Sequence, residues 1–246
     1  MAIKGKLTRK ELKGPDEFIS FTSKWLEWIA AHARPLLIAV GAIAVISAGI
    51  WAWHYFSHRS SLKASDALQV ALELYRRPIK GERGAEDEGD KKPFENAKER
   101  ARAALEKFQY VIQEFSGTDV ARLAHLYAGN CHFTLGQTTE AIASYEKFAN
   151  SAPEPHLQAL AIENLGYAYE QKKDLAKAQE AFERLSSGKV SPERGFYHLA
   201  RLHAARGDKA KAKEMYQKAL DLAKKEKNDW FATELETRIA LIELEP

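Results

Sequence analysis

The sequence predicts an all-α chain, with an N-terminal single transmembrane helix followed by an α-solenoid of helical hairpins. Three observations predict it. Pro35 to Trp53 form one uncharged apolar run. Beyond residue 61, alternating runs of Val, Ile or Thr are scarce, while Ala, Leu, Glu, Lys and Gln, all good helix formers, dominate. In that same region small residues recur at offsets of 37 and 34, the period of a stacked helical repeat.

Composition narrows the function classes. With 246 residues, 45% hydrophobic and 29% charged, the chain is long and apolar enough to build a core. The single cysteine, Cys131, excludes an intramolecular disulfide framework and any multi-cysteine zinc site. Residues 1–60 carry eight Lys/Arg against four Asp/Glu, and the remaining 186 carry 29 against 30. The larger part therefore lacks the basic face that nucleic acid requires, so no nucleic-acid partner is expected.

The nineteen-residue run from Pro35 to Trp53 makes a helix of roughly 28 Å, close to the hydrocarbon thickness of a bilayer. A buried helix of a soluble core seldom runs that far without a polar face. A cleaved signal peptide would need a 34-residue n-region, and no small-residue cleavage site is convincing. An uncleaved anchor over 35–56 fits better, with Trp51, Trp53 and Tyr55 at the headgroup level of its far end. Seven Lys/Arg precede the span, while only Arg59 and Lys63 occur in the twenty residues after it. That bias predicts a cytoplasmic N-terminal tail, 1–34, and in a bacterium a periplasmic C-terminal part.

Within the tail, Phe18, Phe21, Trp25, Trp28 and Ile29 recur at intervals of three and four, with Asp16 as N-cap. This apolar face suits an interfacial helix or one docked on a membrane partner; equally, Trp25 and Trp28 suit an ordinary juxtamembrane continuation.

Three segments superimpose beyond the span. Gly129, Gly136, Ala141, Tyr145 and Pro153 stand in order in the first. Gly166, Lys173, Ala178 and Phe182 follow in the second, and Ala200, Gly207, Ala212, Tyr216 and Ala219 in the third. LGQTTEAIASYEKFANSAPE, LGYAYEQKKDLAKAQEAFERL and ARGDKAKAKEMYQKAL thereby resemble the tetratricopeptide repeat. In such a repeat the small residues let helix A approach helix B, and the aromatic fills the space between hairpins. Lys173 stands where the other turns carry glycine, which predicts a tighter or strained turn.

A divergent copy is expected earlier, with 63–79 as helix A and 95–115 as helix B. The charged segment 81–92 between them reads as a disordered loop. At the other end, 229–244 is amphipathic and offers Trp230, Leu235, Ile239 and Leu241 or Ile242 to cover the last repeat. The expected array over 61–246 thus has about four hairpins and a capping helix.

No catalytic constellation is found, and neither a cofactor nor a small-molecule substrate is expected. His125 and His132 share a helix face but Cys131 points elsewhere, so a metal site would need further ligands. Resemblance to the tetratricopeptide family implies a concave surface lined by the A helices and used for partner proteins. Carried over position by position, its lining is Leu126, Asn130 and Phe133, then Glu163, Tyr167 and Glu170, then Arg194, Tyr197 and Arg201. Leu126 stands where the carboxylate-clamp subtype needs a lysine, so that subtype is set aside.

The whole arrangement is similar to the YfgM-like family of bacterial inner-membrane proteins. The similarity rests on FISFTSKWLEWIAAHARPLLIAVG, HRSSLKASDALQVALELY and FQYVIQEFSGTDVARLAHLYAGN. It implies a single-pass inner-membrane scaffold, an ancillary subunit of the Sec translocon that helps pass exported clients to periplasmic chaperones. A structural part of another envelope machine, for pilus, cell-wall or outer-membrane assembly, is the alternative.

Overall fold

The computed structural model describes residues 17–83, 92–152 and 154–244, and the side chains from Phe21 onward within the first stretch. Asp16, most of the basic tail, the side chain of Phe18, residues 84–91 of the expected loop and Pro153 lie outside the described residues. Two units divide at His58/Arg59.

In the first unit, α1 spans Glu17–Ala31 and α2 begins at Ala33. Pro35 explains the break at His32: it has no N–H to continue the ladder and is tolerated only in a first helical turn. Phe21, Trp25 and Trp28 form a ladder of tilted and edge-on rings, 6.2 and 5.9 Å apart, along one exposed face of α1. Along α2, Leu37, Ile38, Val45, Trp51 and Trp53 are all exposed.

The sequence reading placed a separate helix at 63–79. Instead α2 runs unbroken from Ala33 to Arg76. Between Gly49 and Pro78 there is neither glycine nor proline, so nothing interrupts the ladder. The last turns of α2 open the second unit, where Leu68 and Ala71 pack with Ala104, Leu105 and Phe108 of α3, Ala97–Glu114. Beyond α2 the two ends of the intervening loop are pinned together, with Lys80 N–H donating to Phe94 O and Phe94 N–H to Pro78 O.

Three hairpins follow, formed by α4 (Asp119–Leu135) with α5 (Thr138–Ser151), α6 (Pro155–Gln171) with α7 (Leu175–Ser186), and α8 (Pro192–Ala205) with α9 (Lys209–Lys225). The C-terminal α10, Asp229–Leu244, closes the stack. Local chemistry sets the starts: Asn96, Thr118, Asp174 and Asp208 each accept a backbone N–H with the side chain, and Pro155 and Pro192 occupy first turns. Each strictly helical hairpin is closed by the same small-against-aromatic contact. A Cβ on Gly129 would lie 2.6 Å from the Tyr145 ring, and one on Gly166 would lie 2.3 Å from Phe182. Ala200 and Tyr216 share a buried cluster at the matching positions. Across α10, Leu235 is buried and Ile239 and Ile242 pack beside it, while Trp230, expected to cover the last repeat, is 78% exposed.

The turn at Lys173 is neither tighter nor differently built. Lys173 sits at φ +64°, beside +76° for Gly136 and +79° for Gly207. In each turn the N–H of the following residue reaches back to the same carbonyl, as Asp174 to Tyr169 and Gln137 to His132, both 2.9 Å. The conformation is kept and a lysine is forced into it, at a backbone cost of about 1 kcal/mol. Lys173→Gly is therefore expected to stabilise the full chain by about 1 kcal/mol, read as a higher urea midpoint. Gly136→Lys, where an added Cβ meets nothing within 4 Å, should lower it by a similar amount through backbone strain alone.

Candidate functional site

The A-helix face carries most of the residues expected to line a groove, but many are already engaged with one another. Leu126 is the clearest correction: at 2% exposure it is a core residue, packed with Ala141 and Tyr145. Its place in the helix turns it between α4 and α5, so no partner reaches it. Phe133 is half-buried against the same core. Asn130 ties α4 to three other helices: its Nδ2 donates to the Tyr75 hydroxyl of α2 at 3.3 Å, and its Oδ1 accepts from Tyr145 of α5 at 2.9 Å and Asn164 of α6 at 3.1 Å.

Further along, α6 and α8 face each other at a constant offset of 31 residues. Arg194 donates to both oxygens of Glu163, at 2.7 and 2.8 Å. Arg201 donates to Glu170 at 2.6 Å and lies 5.8 Å from the Tyr167 ring centre. Between these pairs, His198 Nε2 is 2.8 Å from Glu163 Oε1 and 3.3 Å from the Tyr167 hydroxyl. With a carboxylate as the closer partner, Nε2 carries the proton and donates to Glu163. Glu163 and His198 are each 2% exposed, and His198 Nδ1 has no partner. The pair is thus a buried hydrogen-bonded link between successive A helices, capped from solvent by Arg194.

At the C-terminal end of this face, α6, α8 and α10 enclose an open cavity of about 570 Å³. Glu163, Tyr167, Arg194 and Tyr197, four of the positions carried over from the family, are among the residues that line it. Glu193, His198, Asn228, Trp230, Phe231 and Glu234 complete it, and none of these was foreseen as lining. The aromatic content is high: Tyr197 lies 5.7 Å from Phe231, which stacks on Trp230 at 6.3 Å and 18°. A signal for the inter-helix register was present in the sequence, since Glu163 and Arg194, and Glu170 and Arg201, are opposite charges at equal separation. Glu193 gave no such signal.

Burial pushes the Cys131 thiol up to about 12, which leaves it a packing residue rather than a nucleophile. His132 Nδ1 is engaged 2.7 Å from Gln137 Oε1, and burial lowers the His125 pKa. Among the described residues no three His, Cys, Asp or Glu side chains converge as metal ligands.

Solved structures with a similar course of chain include MamA, 19% identical, with a TM-score of 0.48 over 69% of this chain and 86% of that one. Another is the set of nearly identical TPR-like repeats from a Podosopora anserina protein described as a kinesin light chain. It is 16% identical, with a TM-score of 0.45 over 72% of this chain and 94% of that one. No curated protein sequence matches the chain. The model of the tetratricopeptide repeat-like domain matches residues 26–239, across α1 to α10, and the chain belongs to that family.

Proposed function

We propose that the chain is a membrane-anchored protein-interaction scaffold whose second unit docks partner proteins on its α6–α8–α10 face. The observation that carries this reading is the cavity, in which exposed Trp230 and half-buried Tyr197 stand beside charged groups, the residue types that dominate protein interfaces. Anchoring is supported by α2, whose most apolar stretch has a mean hydropathy of 2.2 with none of it buried. Each large aliphatic or aromatic side chain left in water forfeits about 1.5–3 kcal/mol of burial. The exposed run from Leu37 to Phe56 is better matched by lipid, over a span of 35–56.

Lys/Arg bias supports a cytoplasmic tail, 1–34, and a periplasmic repeat domain, 61–246, in a bacterial inner membrane. Trp25 and Trp28, exposed on α1, would meet the interface or a membrane partner, and Trp51, Trp53 and Tyr55 the opposite leaflet. In its finer form the reading is an ancillary translocon subunit that helps exported proteins reach chaperones.

In-cell crosslinking from photoreactive residues at Trp28 and at Asp229, the exposed first residue of α10 beside the cavity, tests both levels. Translocon subunits at Trp28 with chaperones or exported proteins at Asp229 are the expected result. One other envelope complex at both positions would replace the translocon role with a structural one. Cytoplasmic proteins at Asp229 would overturn the topology.

A further inference from the structure

The cavity wall holds a buried carboxylate with one oxygen that no described residue hydrogen-bonds. Glu193 is 6% exposed, and its Oε2 has no hydrogen-bond partner. Burial pushes its carboxyl above the usual carboxylate range; a bond from its own backbone N–H opposes this, nearby Glu226 adds to it, and the neighbouring Arg194 offsets it in part. Such a group destabilises the fold unless something pairs with it. Arg194, the cation lining the same cavity, is already held on both oxygens of Glu163. A second carboxylate, Glu234, lines the same cavity, and its Oε1 is engaged by Arg238 on the same helix. Trp230 and Phe231, stacked on each other, line the same cavity. Carboxylates beside aromatic faces favour positive charge twice over, by ion pairing and by the ring quadrupole. An anion or an apolar group entering there would leave Glu193 unpaired.

We infer that this cavity receives the basic side chain, lysine or arginine, of a docked protein, with Glu193 as its counter-ion and Trp230 and Phe231 against its stem. At about 570 Å³ the space accommodates one long side chain with part of its backbone. The inference rests on the reading of this face as a protein-docking surface and specifies what it selects.

The test uses the full chain in nanodiscs labelled with 5-fluorotryptophan, the Trp230 resonance being assigned from Trp230→Phe. N-acetyl-arginine amide should move that resonance, and the neutral N-acetyl-citrulline amide should bind at least about tenfold more weakly. Glu193→Gln, close to isosteric, should weaken the arginine probe by about tenfold, and Glu234→Gln by a smaller factor. If Glu193→Gln does not fold, judged by far-UV circular dichroism, Glu234→Gln decides. Equal response to the charged and neutral probes overturns the inference.

Crosslinking from Asp229 in cells separates a protein side chain from a free small cation. Glu193→Gln should remove most of the crosslinked protein. Unchanged crosslinks, even where the arginine probe binds, overturn the protein-side-chain assignment and leave the scaffold reading standing. No protein crosslink from the otherwise unaltered chain overturns both.

Discussion

Gly195→Ala is expected to cost about 3 kcal/mol or more and to separate α8 from α7, lowering the urea midpoint of the full chain and exposing its C-terminal hairpin to limited proteolysis. A Cβ there would stand 2.3 Å from the Ser186 backbone nitrogen and 2.6 Å from its Cα. Backbone at the end of α7 has no rotamer by which to give way, so the two helices themselves must part. Gly166→Ala makes an instructive contrast. Its Cβ would stand equally close, 2.3 Å, but to the far edge of the Phe182 ring. That ring is fully buried and stacked on His198 at 4.6 Å, with Tyr167 edge-on at 6.0 Å, so it has little freedom to yield. A loss of about 1–3 kcal/mol is expected, and Phe182→Leu in the same chain should recover part of it by returning the volume. The same second substitution should do nothing for Gly195→Ala. Rescue of both, or of neither, would mean that the two glycines do not act through the contacts described.

The contrast shows what a sequence makes visible. Gly129, Gly166 and Ala200 were identifiable because each stands sixteen residues before an aromatic, and the repetition marks all three as one packing device. Gly195 serves only the α7–α8 junction and repeats nowhere, so nothing distinguished it from a loop glycine. The hairpins and α10 were legible for the same reason, being periodic and bounded by caps. The merging of 63–79 into α2 was hidden because the apolar run and the repeat pattern are different signals, and neither says whether the helix stops between them. Groove positions fared unevenly. A family position names a helix face, but the neighbouring helix decides what occupies it: Leu126 is rolled into the core, while Glu163 and Glu170 meet arginines. The Lys173 turn teaches the converse, since the same closing hydrogen bond within each turn goes with a left-handed residue whatever side chain is supplied.

Glu163→Ala is expected to destabilise the chain by about 3 kcal/mol, much more than an ion pair would be worth on a surface. Arg194 is half-exposed and regains water when its partner goes. His198 does not: its Nδ1 already lacks a partner, and losing Glu163 would leave Nε2 with only the Tyr167 hydroxyl at 3.3 Å. The cost therefore comes from the buried ring, not from the arginine. Glu163→Gln keeps an oxygen for the ring and should cost about 1 kcal/mol. A cycle combining Glu163→Ala with His198→Ala should show coupling of more than 1 kcal/mol, whereas coupling near zero would place the energy elsewhere. Replacing both by apolar groups, Glu163→Leu with His198→Phe, should restore much of the stability, as buried ionic links generally permit. That variant would also free the Arg194 guanidinium beside Glu193, adding an unpaired positive charge to the cavity lining. Its fold should hold while binding of the arginine probe falls. Stability and selectivity would then separate in one molecule, assigning to Glu163 the task of keeping Arg194 from occupying the place of the ligand.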